Sequence, residues 1–446
     1  MQENKLFIKS LDMDARGVGH MENEDGSQGK VVFVEGALPG ETVSFTSFKK
    51  KKNWEMARMD ALHHESPMRV RPKCVHFEMC GGCSMQHLEP TAQVAIKQRV
   101  LEDNLQHIGK VRPLTVMRPM YGPTWGYRYR ARLSVRHVAK KDTVLVGFHE
   151  KKSAFVADIQ SCQILPKHVS DLLMPLRALI GSLTLFAQIP QIEVAIGEGV
   201  TALVLRIMAP LTPADEVKLK AFADLHGIQF WLQTKGPETV APYYPLEQDL
   251  HYLLPEFGIK MPFKPVDFTQ VNHYINRVLV GNALRLLEVQ PQDRVADLFC
   301  GLGNFTLPLA TLAREVVGIE GSTTLSERAL DNAKANGLSD QTTFYTRNLF
   351  EVTADDLIAL GKFDRMLIDP PRDGAMALSE ALVALSQSRA DLLPKRIVYV
   401  SCSPSTLARD AGILVSAGYV LDKAGVVNMF PHTSHVESMA VFNLAG

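Results

Sequence analysis

Cys402 is preceded by Val398-Tyr399-Val400-Ser401 and followed by Ser403-Pro404. This context reads as a buried strand with a thiol at its tip. Alone, such a residue is a small core side chain, because free cysteine is among the most buried residue types. Two other segments bear on it. Asp369-Pro370-Pro371-Arg372 ends a second strand-like run, and its prolines stiffen the loop and fix how the carboxylate points. Pro431-His432-Thr433-Ser434-His435-Val436-Glu437 places a carboxylate and two histidines just before the last apolar run. If these segments meet, a thiolate can add to C6 of a pyrimidine and turn C5 into an enolate-type nucleophile toward a methyl donor. A base must then remove the C5 proton so that the thiolate can leave. Glu437 is the candidate base, with His432 and His435 as its orienters. The plainer alternative is that Glu437 only caps a loop.

A methyl donor needs its own pocket. Asp297-Leu298-Phe299-Cys300-Gly301-Leu302-Gly303-Asn304-Phe305 sits where a strand should turn into a helix. Gly301 and Gly303 permit a tight turn and close approach of a ligand. Glu320 ends the next predicted strand, where an acid can accept hydrogen bonds from both ribose hydroxyls. The third glycine of a dinucleotide site is absent, because Asn304 and Phe305 follow Gly303. A nucleoside without phosphates, such as S-adenosylmethionine, fits that pattern. Asn348 either reaches the adenine or serves as a turn residue. Cys300 reads as a packing residue, not a second nucleophile.

Four further cysteines form a different set. Cys74, Cys80 and Cys83 follow a C-x5-C-x2-C spacing, and Cys162 lies far downstream. In a cytosolic protein this suggests a metal site more than disulfides. The spacing is near the plant-type ferredoxin pattern, with zinc held by four thiolates as the physical runner-up.

The elements that must position these residues follow from periodicity. Residues 5 to about 65 read as short strands broken by Gly and Pro, including Lys30–Val34, Thr42–Phe45 and Trp54–Met59, which suggests a small OB-like barrel. A helix is expected from Thr91 to His107. Alternation over residues 127–136 puts Arg128, Arg130, Arg132 and Arg136 on one strand face, for which RNA phosphate is the favoured partner and solvent the duller one. From about 290 strands alternate with helices, the mark of an open parallel sheet. Strands are expected at 294–299, 315–319, 342–346, 363–368 and 396–401. Helices are expected at about 305–313, 322–336, 378–388 and 404–415, with Ser322 as an N-cap and Gly337 as a stop.

The chain has 446 residues and a formal net charge of zero, and its length suggests two or three domains. Residues 1–162 carry 25 Lys+Arg against 18 Asp+Glu, and residues 163–446 carry 23 against 30. A basic front on an acidic back suggests a polyanion-binding module joined to something else, although the Lys49–Lys52 run alone could be a solvated loop. The opening MQENKLFIKS lacks a signal-peptide core, and the apolar stretch 172–189 is broken by Pro175 and Arg177. A cytoplasmic location, no membrane contact, no obligate protein partner and a monomer are expected.

Taken together, Asp267-Phe268-Thr269-Gln270-Val271-Asn272, the Asp297–Phe305 loop, Asp369–Arg372, Ser401–Pro404 and Pro431–Glu437 resemble, in order, the bacterial RNA uracil-C5 methyltransferases of the RumA/TrmA type. The resemblance implies an α/β fold in three parts. Residues 1–68 would form an OB-like barrel of the TRAM kind. Residues 69–262 would form a central α+β domain, with a helix at about 91–124 that packs on the next domain. Residues 263–446 would form a doubly wound, Rossmann-like methyltransferase domain. It also implies that Gln270, Phe299, Asn304, Glu320, Asn348 and Asp369 line the S-adenosylmethionine pocket, that Cys402 is the nucleophile and that Glu437 accepts the proton. It assigns a [4Fe-4S] cluster to Cys74, Cys80, Cys83 and Cys162. In this family the tRNA-directed members are expected to lack barrel and cluster, so possession of both points to one defined uridine of 23S rRNA. A uridine in another RNA, C5 of cytosine, an adenine, or a non-catalytic iron–sulfur RNA-binding assembly factor are the alternatives.

Overall fold

The computed structural model describes residues 5–23, 25–247 and 249–445, so the first four residues of the N-terminal segment considered above lie outside it. Its largest sheet explains where chemistry can occur. Seven strands of the back half are β1 (Arg294–Leu298), β2 (Glu315–Glu320), β3 (Thr342–Thr346), β4 (Arg365–Ile368), β5 (Arg396–Ser401), β6 (Tyr419–Val427) and β7 (Glu437–Leu444). They lie in the order β3-β2-β1-β4-β5-β7-β6, and Thr115–Val116 adds an edge strand beside β6. The first five are parallel, and β7 inserts antiparallel between β5 and β6. Strand order reverses at β1 and β4, so a crevice opens at the carboxyl ends there.

Local chemistry fixes these elements. Continuous burial along β5 reflects a sheet covered on both faces by helices. Ser322 accepts from the Leu325 amide and caps the helix Thr323–Ala335, and Gly337, at φ +68°, lets the chain leave it. Pro404 occupies the first turn of the helix Pro404–Ser416, where a missing N–H costs nothing.

Helix α1 (Pro90–Asn104) precedes this sheet by almost 200 residues in sequence, yet its Leu101 joins the same core as Ile397, Leu407 and Ala424. Residues 90–120 therefore belong in space to the back half. The central region is a six-stranded sheet, ordered Ala241–Tyr244, Gln229–Gln233, Thr201–Arg206, Gln191–Ile196, Arg130–Val138, Thr143–Gly147. The front region is a second six-stranded sheet whose two edge strands, Lys5–Phe7 and Ser10–Leu11, are neighbours in sequence. Its small core is built around Ile8, Val32, Val34 and Val43.

The arginine strand differs from expectation. Arg128 precedes the strand, which begins at Arg130. The Arg130 guanidinium donates to the backbone carbonyls of Asp267 and Pro265, and Arg132 pairs with Glu193 at 3.0 Å. Alternation placed Arg130, Arg132 and Arg136 on one face, opposite buried Ala131, Leu133 and Val135, but not Arg128, which lies outside the strand. It could not show that two of them are consumed by partners within the chain.

Candidate active site

The register of the antiparallel pair β5–β7 builds the centre of the site. Ser401 is paired with Ser438, so Cys402 and Glu437 stand opposite one another one step beyond. Asp369 follows β4 at the same edge. All three side chains line one cleft of about 600 Å³, together with Gln270, Phe299, Asn304, Glu320, Asn348, Arg372 and His435. That volume suits a nucleoside-sized ligand.

Each wall is held by specific contacts. Phe299 leaves β1 at φ +65° and Gly301 follows at φ +54°, so the loop turns sharply at the sheet edge. The Glu320 carboxylate accepts from the Gly301 amide at 3.1 Å and the Ser322 amide at 3.0 Å. Asn304 accepts from the Tyr252 hydroxyl and exchanges hydrogen bonds with Asn276. Asn348 accepts from the Phe350 amide, so it acts as a turn residue and lines the cleft as well. Asp267 is buried, accepts from the Lys264 amide at 2.6 Å, and shapes the loop that presents Gln270. The Tyr129 amide donates to the Val271 carbonyl and ties that loop to the central sheet.

The cleft is acidic. Burial pushes the Asp369 carboxyl up to about 7. Burial, then repulsion from Asp369, pushes Glu437 up to about 8, while Arg372 and Lys97 oppose the rise. Burial, then Glu437 and Asp369, pushes the Cys402 thiol up to about 12, with Arg372 opposing. A phosphate would be repelled by these carboxylates. A sulfonium and an ammonium group would be attracted, so the residues present suit S-adenosylmethionine.

His435 lines the cleft, but His432 does not. The His432 ring stacks on Trp125 at 3.8 Å between centroids, and Gln93 Nε2 lies 3.1 Å from its Nδ1. Its expected role as an orienter of Glu437 through the ring is therefore corrected: His432 braces the loop from behind. Sequence reasoning also missed Tyr252, Asn276, Gln93 and Lys97. Gln93, Lys97 and Asn276 are single polar residues on helices and Tyr252 lies on the strand His251–Leu254, so none belongs to a motif that could have signalled it. Cys300 is buried behind the glycine loop, as a packing residue should be.

Cys74, Cys80, Cys83 and Cys162 line a second, separate cavity with Phe77 and Phe148. Burial pushes Cys83 up to about 12 and Cys162 up to about 11, and each feels the thiols of Cys74 and Cys80. Thiols so placed stay protonated until a cationic group displaces the protons. Among the described residues no group of three or more His, Cys, Asp or Glu side chains is set to hold a single metal ion. No described helix is long and apolar enough to cross a membrane.

Comparison with known proteins agrees with this geometry. Residues 250–444 match the profile of the tRNA (uracil-5-)-methyltransferase family. The 23S rRNA (uracil(1939)-C(5))-methyltransferase RlmD of Cupriavidus pinatubonensis is 67% identical over 98% of this chain and 95% of its own length. That of Burkholderia thailandensis is 66% identical over 98% of this chain and 94% of its own. The solved structure of Pyrococcus abyssi tRNA (uracil-54, C5)-methyltransferase with S-adenosyl-L-homocysteine superposes with a TM-score of 0.73 at 23% identity, covering 98% of this chain and 100% of that one. A tRNA-directed enzyme thus shares the fold of the front regions too, which corrects the expectation that their presence alone separates rRNA-directed from tRNA-directed members. The branch is set instead by identity over nearly the whole length: the chain belongs to the RlmD family of 23S rRNA (uracil-C5)-methyltransferases.

Proposed function

We propose that this protein methylates C5 of a defined uridine of 23S rRNA, the uracil(1939) position named for its relatives, with Cys402 as nucleophile and Glu437 as proton acceptor. The observation that carries the residue assignment is the juxtaposition of Cys402 and Glu437 across the end of β5 and β7, in the cleft that Asp369 and the glycine loop also line. Gln270, Phe299, Asn304, Glu320, Asn348 and Asp369 would hold S-adenosylmethionine. When bound, that ligand supplies an electrophilic methyl carbon.

The residues of the chain do the rest. The target base leaves its stack, at a cost of roughly a few kcal/mol, to reach the cleft. The Cys402 sulfur forms a bond to C6, and the ring electrons move to C5 and O4. Once C5 carries the methyl group, Glu437 takes the C5 proton. The C5–H electrons restore the double bond between C5 and C6, and the C6–S bond breaks to return the thiolate. The site must first deprotonate Cys402, which the free cleft keeps as a thiol. Burial is the main cause that holds the proton on sulfur, and a cationic ligand beside Asp369 and Glu437 would relieve the second, the negative field of the two carboxylates.

The front regions supply RNA and cluster binding in this reading. The six-stranded front sheet is assigned as an OB-like TRAM barrel. It exposes Phe48 and the Lys49–Lys52 run, with Lys49 over the Trp54 ring and Lys152 over Phe48. Interleaved cations and aromatic rings suit single-stranded RNA. Cys74, Cys80, Cys83 and Cys162 would hold a [4Fe-4S] cluster. The four thiols line one cavity, and their spacing near the plant-type ferredoxin pattern supports that reading. Anaerobic purification with an absorbance spectrum and iron and zinc analysis tests that assignment.

RNA containing 5-fluorouridine tests the mechanism, because it has no C5 proton to remove. The wild-type protein is expected to form a covalent complex that survives denaturation. A Cys402→Ala protein that still forms it overturns the assignment of the nucleophile.

A further inference from the structure

The side-chain amide of Asn304 is held by two residues from outside the sheet that carries the cleft. Tyr252 lies on the strand His251–Leu254, which pairs with Ile259–Pro262 in a separate two-stranded sheet. That hairpin is docked where the Lys260 amide donates to Asn336 Oδ1 at 2.9 Å and Asn336 Nδ2 donates back to the Lys260 carbonyl at 2.8 Å. Asn276 lies one turn into the helix His273–Leu287, whose first turn Asn272 caps. Tyr252 and Asn276 are 4% and 2% exposed.

Their donors fill one end of the Asn304 amide. The Tyr252 hydroxyl and Asn276 Nδ2 both donate to Asn304 Oδ1 at 2.9 Å, and Asn304 Nδ2 donates back to Asn276 Oδ1 at 3.0 Å. An amide oxygen has two lone pairs and an amide nitrogen two hydrogens. Both lone pairs of Asn304 are therefore taken, and one N–H is left. The reciprocal pair alone would tolerate a half-turn of both amides. After that turn the phenol proton would meet an amide nitrogen, and no other acceptor for it is found among the described residues. A buried donor without an acceptor is costly, so Tyr252 selects the orientation. Burial raises the Tyr252 hydroxyl above its ordinary value, so it keeps its proton.

Asn304 lines the cleft, and it therefore offers the cleft a donor and no acceptor. Strand order sets which part of a ligand it meets. Asn348 follows β3 and Glu320 ends β2, whereas Asp369 and Cys402 follow β4 and β5. A ligand with its nucleoside at β2 and β3 and its methyl group toward β5 carries its amino-acid end past β1, whose loop bears Asn304. The one anionic group of S-adenosylmethionine is its carboxylate. Glu320, Asp369 and Glu437 repel it, and a neutral N–H receives it.

We propose that Tyr252, with Asn276, is a positioning residue for the methyl donor: it locks the Asn304 amide with its N–H toward the cleft, and so makes the site select a ligand that carries a carboxylate. The inference rests on Asn304 as part of the S-adenosylmethionine pocket. It adds a residue of the two-stranded sheet to a site otherwise built on the large one.

The test is calorimetric binding to the full-length protein of two ligands, S-adenosylhomocysteine and its decarboxylated analogue, which keeps the ammonium group. Wild-type protein is expected to prefer S-adenosylhomocysteine by about tenfold. Tyr252→Phe should weaken S-adenosylhomocysteine by about tenfold and leave the analogue bound as before, so that the preference is lost. Asn276→Ala carries the same expectation and stands in if Tyr252→Phe does not fold. A preference that survives in these variants, whether both ligands weaken together or neither does, would mean that Tyr252 only packs and would overturn the proposal. Wild-type protein that binds both ligands equally would overturn it as well. Asn304→Asp separates the two readings. It replaces the donor by an anion and should invert the preference. If Asn304→Asp leaves the preference unchanged, Asn304 itself does not face the carboxylate and the pocket assignment fails. If Asn304→Asp inverts it while Tyr252→Phe and Asn276→Ala keep it, only the lock fails.

Discussion

Cys402 and Glu437 face each other because Ser401 and Ser438 are paired at the end of two antiparallel strands. The proposed nucleophile and base are therefore set by a single register. A one-residue slip would turn Glu437 to the other face of the sheet. The pair needs no flexible loop to bring it together, and proton removal can follow methyl transfer without rearrangement of β5 or β7.

The thiol is predicted to be unreactive in the free enzyme. Burial and the two neighbouring carboxylates hold Cys402 up to about 12, so little thiolate exists at neutral pH. Alkylation of Cys402 by iodoacetamide, read by peptide mass, should be slow at pH 7 and still climb at about pH 10. A labelling midpoint below about pH 8 would contradict this account. Cys402→Ala should lower methyl transfer by roughly a thousandfold or more.

Glu437 is predicted to trade stability for function. Its carboxyl is raised from 4.5 to about 8, by burial first and then by Asp369. A raised folded value favours the protonated form, so this stability is full below the unfolded value and is lost as pH rises through about 8. Buried His87, His273 and His432, each held down near 4 by burial, pull the other way below their ordinary 6.5. The comparison must therefore be Glu437→Gln against wild type at each pH. The variant should gain relative stability between pH 5 and 8, by at most about 1.4 kcal/mol per pH unit. An equal melting difference at both ends of that window would refute it.

The sheet was readable in the sequence because its strands are short β-branched runs with a chemical residue at each tip. The expected strands 342–346 and 396–401 match Thr342–Thr346 and Arg396–Ser401. β6 and the edge strand Thr115–Val116 were not legible. Tyr419–Val427 mixes charged and apolar residues, and a two-residue strand has no periodicity to detect. The cleft residues could be named from motifs. Lys97 and Gln93 could not, since their partners lie more than 300 residues away and a polar residue on a helix reads as solvent-facing. His432 and the arginine strand misled for the same reason, because a residue type suggests a role and only packing shows whether its donors are already taken.

Arg69 is predicted to hold the front sheet to the rest of the chain. Its Nε and Nη2 donate to Glu41 Oε1 at 2.6 Å and Oε2 at 2.9 Å, and Nη2 also reaches the Gly36 carbonyl. Glu41 is fully buried, and although burial works to raise its carboxyl, the hydrogen bond and charge of Arg69 help keep it below its ordinary value. Arg69→Met would strand that charge at a cost of about 3–5 kcal/mol. Hydrogen exchange over 36–66 should quicken. Adding Glu41→Gln should recover part of the loss, and a double variant no better than Arg69→Met would exclude the ion pair as the cause.

Loss of the cluster assigned to the four cysteines is predicted to loosen the catalytic loop. Ser84 and Met85, immediately after Cys83, donate their amides to the His432 carbonyl at 2.9 and 3.0 Å. The Ser434 amide donates back to Ser84 Oγ at 3.1 Å, and the Tyr127 hydroxyl, in the same core as Cys83 and Cys162, donates to the Pro431 carbonyl. The cysteine loop and the segment carrying Glu437 thus share three hydrogen bonds, with a fourth from Tyr127, each contributing about 1 kcal/mol. Cys83→Ser should lower iron content and speed hydrogen exchange at 84–85 and 431–435 together, while exchange in β1 and β2 stays unchanged. Methyl transfer should fall in step with the exchange. If iron is lost while 431–435 exchanges as before, the cysteine loop carries no structural load for the active site.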